Sequence, residues 1–356
     1  MRVLMALDYR DTNPYQKLLA EALDEEGVTV KFPAGYRRGL PLLRSTRTAQ
    51  ANILHLHWPT HLVLSRASNT PTRILYSLRL AIEVLLVRLI GTKVVWTVHN
   101  VLSHGVSFSH VELYTRRLLA QVVDSLLVHD HNTASEVAQH YCVSEKKVNV
   151  IPHGNYRSLY TDNPSKKEAR NKLGITSEGC VFLYFGSVRP YKGIEDLLEA
   201  WDLHTKLHPD DLLILAGSPR LSSYGRKITE IVNATDRVLP HLSFVDESDV
   251  PTFFAAADVA AFPFRRITTS GSLILAMSFG VPVIAPGFAS VRAVLDGADD
   301  LVYHPTDNPV DSLKETLDTA SKKPNKSLAR RTVAACDRLD WGNIAKDTRH
   351  IYEDLL

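Results

Sequence analysis

Short apolar runs of strand length recur along this chain. Each is followed, after a turn, by a stretch in which apolar residues return every three or four positions. The runs at 3–7, 28–32, 52–56, 93–98, 125–128 and 148–151 predict strands, and the stretches at 13–26, 74–90, 111–120 and 133–140 predict helices. The polar, turn-forming stretch 152–167 interrupts the series. It then restarts, with strands at 181–185, 212–216, 242–245, 259–261 and 282–285 and helices at 194–207, 223–233, 250–256 and 272–279. Strands with little polar interleaving belong in a parallel sheet covered on both faces. The expected fold class is therefore α/β: two doubly wound domains, residues 1–154 and 155–340. Residues 341–356 predict a final amphipathic helix, with Ile344, Ile351, Leu355 and Leu356 on its apolar side, placed to cap the second domain or to cross back to the first.

The chain has 356 residues, more than one typical core organises, which agrees with two domains. Its formal net charge of +2 makes no demand for nucleic acid, but the charge is unevenly placed. Residues 1–154 carry 17 Lys and Arg against 12 Asp and Glu, with clusters at Arg37, Arg38, Arg44 and Arg47 and at Arg73, Arg79 and Arg88. Such a half suits an anionic membrane surface, or is simply a solvated basic face. The 74–90 helix, interrupted by Arg79, Glu83 and Arg88, could lie in a membrane interface or be half buried against a sheet. No run is long enough to span a bilayer, and MRVLMALDYRD meets charge too soon for a signal peptide. Cys142, Cys180 and Cys336 are odd in number and far apart, which fits a reducing compartment and no metal spacing.

Two loops carry the candidate chemistry. In VFLYFGSVRPYKGIEDLLEAW (181–201) an apolar strand ends at Gly186, Arg189 and Lys192 follow, and Gly193 opens a helix. A basic loop at a helix N-terminus is an anion site, most naturally for a phosphate or diphosphate. The plainer alternative is a βα loop with two solvated cations. In TTSGSLILAMSFGVPVIA (268–285), Ser270, Gly271 and Ser272 lead directly into an apolar helix, either to present N–H groups and hydroxyls to an oxyanion or to cap the helix. Two such loops in one domain favour a shared diphosphate. The first domain offers His57 and His99 at the ends of two strands, with Trp58 beside the former. Histidine titrates near neutrality and suits a general base. Asp8 and Asp11 are the carboxylate alternatives, and His153 marks a turn before the interdomain stretch.

The element order resembles the GT-B glycosyltransferases, two facing Rossmann-like domains with the nucleotide sugar held by the second. RPYKG, AADVAAFPF and LAMSFGVPVIAP are similar to the group 1 nucleotide-sugar transferases. Retaining members of that group carry two glutamates eight residues apart around the last loop, and here Ile267 and Leu275 stand in those places. TNPYQKLLAEAL, ILHLHWP, TVHN, HGNYRSLY, RPYKGIEDLL and SGSLILAMS resemble more narrowly the bacterial exopolysaccharide β-mannosyltransferases of the xanthan side-chain type.

The resemblance implies an inverting hexosyltransferase using GDP-mannose and a lipid-linked oligosaccharide, cytoplasmic and peripheral on the inner face of the cell membrane, in polysaccharide biosynthesis. His99, with His57 second, is then the expected base. Gly186, Arg189, Lys192, Gly193, Ser270, Gly271 and Ser272 are the expected donor contacts. No acidic metal motif lies in the donor loops, so metal independence is expected, with the nucleotide sugar as co-substrate and no cofactor. The alternatives are a retaining group 1 enzyme with another nucleotide sugar, a nucleotide-sugar epimerase, and a non-catalytic nucleotide-sugar-binding scaffold.

Overall fold

The computed structural model describes residues 1–36, 39–64, 69–102, 109–219, 223–305, 308–322 and 326–356. Arg37 and Arg38 of the first basic cluster lie outside the described residues. The chain divides into two compact units, Met1–Gly154 with Leu339–Leu356, and Asn155–Arg338.

The first unit runs β1 (Arg2–Ala6), α1 (Tyr15–Glu25), β2 (Thr29–Lys31), α2 (Pro41–Ala49), β3 (Ile53–His57), α3 (His61–Leu64), α4 (Thr70–Leu89), β4 (Lys93–Thr97), α5 (Ser109–Val122), β5 (Ser125–Val128), α6 (His131–Tyr141) and β6 (Val148–Val150). Among the described residues these strands form one parallel sheet in the order β2-β1-β3-β4-β5-β6. Period-two alternation divides the strand residues between two faces. Leu54, Leu56, Val94, Trp96, Leu126 and Val128 join one core with Leu80, Val84 and Val87 of α4. Each such side chain contributes roughly 1.5–3 kcal/mol when fully buried.

The 74–90 helix is longer than its apolar pattern, because Asn69 caps it and Thr72 completes a capping box. It is apolar on two faces, Leu80, Ala81, Val84 and Val87 being buried and a second set of apolar residues exposed. Ser77 and Glu83 are buried, whereas Ile74, Leu75, Leu78, Ile82, Leu85 and Leu89 are exposed. Burial of Glu83 has a local reason, since its Oε1 accepts the N–H groups of Leu42 (2.6 Å) and Leu43 (3.2 Å) at the start of α2.

The second unit runs α7 (Lys166–Lys172), β7 (Val181–Phe185), α8 (Ile194–Thr205), β8 (Leu212–Ala216), α9 (Ser223–Ala234), β9 (Val238–His241), α10 (Val250–Ala256), β10 (Val259–Ala261), α11 (Gly271–Ser278), β11 (Val283–Pro286), α12 (Ala289–Leu295), β12 (Val302–Tyr303), α13 (Pro309–Lys322) and α14 (Lys326–Asp337). Its parallel sheet has the order β12-β11-β10-β7-β8-β9. The strand expected at 242–245 is instead β9, four residues earlier and in register with β8 from Leu213↔Val238 to Ala216↔His241. Pro240 lies within β9, which is the sheet edge, where proline is tolerated. Phe244 lies beyond it, 79% exposed.

The last helix, α15 (Trp341–Leu355), belongs to the first unit. Its Tyr352 hydroxyl lies 2.6 Å from His55 Nδ1, Trp341 packs edge-on against Tyr15 of α1 at 5.3 Å, and Arg349 Nη1 donates to the Glu26 carbonyl at 3.1 Å.

Candidate active site

In the second sheet the connections change direction between β7 and β10, where doubly wound sheets hold their ligands. The loops leaving these two strands carry all seven residues expected to contact the donor. Gly186 ends β7 at φ 141°, and its N–H donates to Ala216 O at 3.0 Å. A Cβ at Gly186 would stand 2.8 Å from Ser272 Oγ, so the two loops meet at this pair. The Arg265 N–H donates to Tyr191 O at 3.0 Å, a hydrogen bond between the two loops.

Arg189, Pro190 and Tyr191 lead through a single 3₁₀ turn to Lys192, and Gly193 follows at φ 68°. A Cβ on Gly193 would overlap the Pro263 carbonyl oxygen, so only glycine admits this approach. The close packing places Lys192 in an aromatic corner, 8% exposed, with Nζ 4.5 Å from the Phe264 ring centroid and 5.4 Å from that of Tyr191. Among the described residues its ammonium has no hydrogen bond or carboxylate partner, and the Arg189 guanidinium has none either. Burial, with Arg189 adding to it, brings the Lys192 pKa down to about 8. A desolvated cation without a counter-charge is costly unless an anion joins it. Ser270 caps α11, its Oγ accepting the Leu273 N–H at 3.3 Å, and Gly271 and Ser272 form the half-buried start of that helix beside Gly186.

One part of the anion reading changes. The first turn of α8 contains Glu195 and Asp196, and Arg265 grips Asp196 with two bonds (2.8 and 2.6 Å) while Lys227 pairs with Glu195 at 2.8 Å. The Gly193 N–H donates to Pro190 O at 3.2 Å. Carboxylates already occupy the positive end of α8. What this loop offers to an anion is the cation pair Lys192 and Arg189, while Gly193 supplies the left-handed turn that brings Lys192 against Phe264.

In the first unit the expected His57 and His99 are two members of a longer row. His57, His99, His129 and His153 follow four neighbouring strands, β3 to β6, and successive ring centroids are 5.3 Å apart. Tyr15 presents its ring to all four, between 4.8 and 5.8 Å. His129 Nδ1 lies 2.9 Å from Ile151 O, His129 Nε2 lies 3.3 Å from His99 Nδ1, and His99 Nε2 lies 3.0 Å from His57 Nδ1. A carbonyl can only accept, so His129 Nδ1 carries a proton. In neutral rings this fixes the rest: His99 Nδ1 donates to His129, and His57 Nδ1 donates to His99. His57 Nε2 is then a bare acceptor, and it is buried without a hydrogen-bond partner among the described residues. Burial keeps the rings neutral: it pulls His153 and His55 down to about 3, His57 and His99 well below the ordinary imidazole value, and His129 down as well.

His99 borders a small cavity of about 40 Å³ that it shares with Trp58, His61, Asn100 and Arg116. Trp58, in the left-handed region at φ 48°, stacks on His99 at 4.0 Å and 11°. His61 Nδ1 meets the Tyr9 hydroxyl at 2.5 Å. Asp8 is held by Arg10 through bonds of 3.0 and 2.9 Å, which lower its pKa. His153 Nδ1 donates to Gly154 O at 2.8 Å in a buried turn. His129, Tyr15 and the Tyr9–His61 pair are missing from the expected site, and the sequence reads His153 as a turn or a donor contact. The signal was present, since HLHWP, TVHN, VHDH and IPHG each put histidine after a strand.

Among the described residues one group, His204, His208 and Asp318, has the spacing to hold a metal ion. His204 stands on α8 and Asp318 on α13, and His208 follows the end of α8. His204 already meets carboxylates at both nitrogens, Asp318 at 2.7 Å and Asp211 at 2.9 Å. None of the expected donor residues belongs to it.

Residues 179–322 match the family model described as Glycosyl transferases group 1. The chain is 28% identical over 289 residues to the GDP-mannose:glycolipid 4-beta-D-mannosyltransferase of Xanthomonas campestris pv. campestris, covering 80% of this chain and 73% of that one. It is 26% identical over 261 residues to the D-inositol 3-phosphate glycosyltransferase of Corynebacterium aurimucosum, covering 69% and 61%. Among solved structures it is similar to sucrose-phosphate synthase from Thermosynechococcus elongatus, with TM-score 0.75, 18% identity and coverage of 99% and 98%. It is also similar to Anabaena HepE in complex with UDP and glucose, with TM-score 0.74, 17% identity and coverage of 99% and 100%. At these identities the structural likeness bears on fold, and the fold is GT-B.

Proposed function

We propose that this chain, a hexosyltransferase of GT-B fold with a group 1 glycosyltransferase domain, moves mannose from GDP-mannose to a lipid-linked oligosaccharide with inversion, in the assembly of a polysaccharide. The observation that carries the reading is Lys192, a buried ammonium with no carboxylate partner among the described residues, beside Arg189, where the loops after β7 and β10 meet. Those charges suit a diphosphate leaving group. GDP and mannose rest on the similarity to the Xanthomonas enzyme. Inversion is supported by Ile267 and Leu275, neither of which can act as a carboxylate.

The acceptor hydroxyl attacks the anomeric carbon as the bond to the diphosphate breaks. Lys192 and Arg189 take up the charge that develops on the leaving oxygens, with Ser270, Gly271 and Ser272 offering donors from the other loop. A base must accept the hydroxyl proton. His99 is the better placed of the two candidates because it borders a cavity, and His57 then acts by holding His99 through its Nδ1. For His99 to act as the base, its bond from His57 must yield as substrate enters. The reaction draws on a cation pair where other enzymes use a divalent metal, so magnesium is not expected to be needed.

The acceptor reading gains support from α4. Leu75, Leu78, Ile82, Leu85 and Leu89 form an exposed apolar stripe at alternating three- and four-residue spacing, accompanied by Arg73, Arg79 and Arg88. No described helix is long and apolar enough to cross a membrane. A helix of this pattern rests in the interface of an anionic bilayer, which fits a peripheral protein on the cytoplasmic face.

Thermal unfolding with GDP, UDP, GDP-mannose and UDP-glucose, each with and without magnesium, tests the donor. A ligand at a hundred times its Kd stabilises by about 2.7 kcal/mol. Selective stabilisation by the guanosine ligands without magnesium is expected. A response to uridine ligands alone would remove mannose, no response would remove the phosphate reading of Lys192 and Arg189, and donor binding without turnover would favour a scaffold. The anomeric configuration of the product decides inversion.

A further inference from the structure

The first unit has a second, larger cavity that the reaction described above leaves unused. It measures about 900 Å³ and lies between α2 and the β1–β2 edge of the sheet. Its floor reaches Leu4 of β1, and its walls include Lys31, Phe32, Tyr36, Arg44 and Thr48. The volume falls at the upper end of the range for small-molecule sites.

The charge of the cavity is one-sided. Lys31, at the end of β2, and Arg44, on α2, have side chains that form no ion pair or hydrogen bond among the described residues. Among the described residues no carboxylate lines the space. Most of the remaining lining is apolar or hydroxyl-bearing. An occupant that satisfies both features has an anionic head and an apolar body. Tyr36 ties the cavity to the loop after β1, its hydroxyl accepting the Asp8 N–H at 3.2 Å. On the other side α2 is held to α4 by Glu83, and α4 bears the exposed apolar stripe. The cavity thus stands between the helix suited to a bilayer surface and the carboxyl ends of the strands.

We propose that this cavity binds the diphosphate and the first lipid segment of a lipid-linked acceptor, with Lys31 and Arg44 on the phosphates. The proposal rests on the lipid-linked acceptor reading given above. It places the lipid end of the substrate beside α2 and leaves the sugar end for the His99 side of the sheet.

Farnesyl diphosphate in an uncharged detergent is the probe, with saturating GDP present to block Lys192 and Arg189. Binding is expected, and Lys31→Ala with Arg44→Ala should weaken it about tenfold or more, equivalent to about 1.4 kcal/mol. Both residues are exposed, so the fold should survive the change. Thr48→Trp, which fills the space without altering charge, should weaken binding comparably. Farnesol and inorganic pyrophosphate should each bind at least tenfold more weakly than the intact probe. The proposal is overturned if farnesyl diphosphate does not bind, if the variants bind it as the wild type does, or if pyrophosphate binds equally well, which would mean a free-phosphate site. It is also overturned if the variants matter only on anionic vesicles, which would mean general surface charge. Failure of GDP and GDP-mannose to stabilise the protein would strike the donor reading and leave this binding result standing.

Discussion

His57 Nδ1 lies 3.0 Å from His99 Nε2, and the direction of that bond is set at the far end of the row by the carbonyl of Ile151. One backbone acceptor orders three imidazoles because each neutral ring has one donor and one acceptor. A base at His99 would therefore take its proton at Nε2 once the His57 bond yields, with its Nδ1–H still held on His129.

The row makes the fold sensitive to acid. The unfolded chain protonates histidine near 6.5, whereas His55 and His153 resist protonation to about 3 and His57 and His99 also stay neutral well below 6.5. The folded pKa values are depressed, so the stability is fully present above the unfolded value and is lost as pH falls from about 6.5 toward 3. Each such group removes roughly 1.4 kcal/mol per pH unit in that window. Denaturant unfolding at pH 7.5, 6.5 and 5.5 should show a steep drop over the last step. A flat profile would mean that the rings accept protons in place.

His99→Ala should reduce turnover about a hundredfold or more, the usual scale for a general base. GDP affinity should stay unchanged, because the cations on the second unit are untouched. His99→Gln keeps a hydrogen-bonding side chain in the row and separates a folding defect from a chemical one. Near-normal turnover in His99→Gln would exclude His99 as the base.

Lys192 sets up opposite effects on stability and binding. Its folded pKa of about 8 lies below the unfolded 10.5, so the charged form costs the ligand-free protein stability, and that cost fades as pH rises through this window. Lys192→Met should raise the melting temperature of the ligand-free protein, by an amount corresponding to at most about 3 kcal/mol. It should also abolish stabilisation by GDP. In the wild type, GDP affinity should be level up to about pH 8 and fall as much as tenfold per unit above it, as read by calorimetry. Affinity unchanged at pH 9.5 would show that the ammonium is not on the phosphates.

Gly193→Ala should damage the donor loop more than its size implies. The residue sits at φ 68°, and the added methyl would meet the Pro263 carbonyl. The left-handed conformation alone costs about 1–2 kcal/mol for a residue with a Cβ. GDP affinity should fall with little change in secondary structure by circular dichroism.

Strands declared themselves in the amino-acid pattern wherever both faces were buried, and 125–128, 181–185, 212–216 and 259–261 match β5, β7, β8 and β10 end to end. The helix α2 did not. PLLRSTRTA has no local cap, and its first N–H groups are met by Glu83, forty residues away in the chain. The α7, α12, α13 and α14 helices and the two-residue β12 also went unread, being short or polar in pattern. Lys192 and Arg189 were legible from charge and a strand–loop–helix order. The burial of Lys192 was not, since it depends on Phe264 from a distant loop. His57 and His99 were found singly because each was read with its own strand, and their union depends on the sheet order β3-β4-β5-β6.

The assignment of α15 to the first unit has a consequence for how the protein is made. The first unit is discontinuous in the chain, and the whole of the second is synthesised between its parts. On the ribosome, the sheet through β6 must wait with Tyr15 and His55 lacking Trp341 and Tyr352 while residues 155–338 emerge and fold. The second unit is therefore the first that can be completed during translation, and the histidine-bearing unit is sealed last.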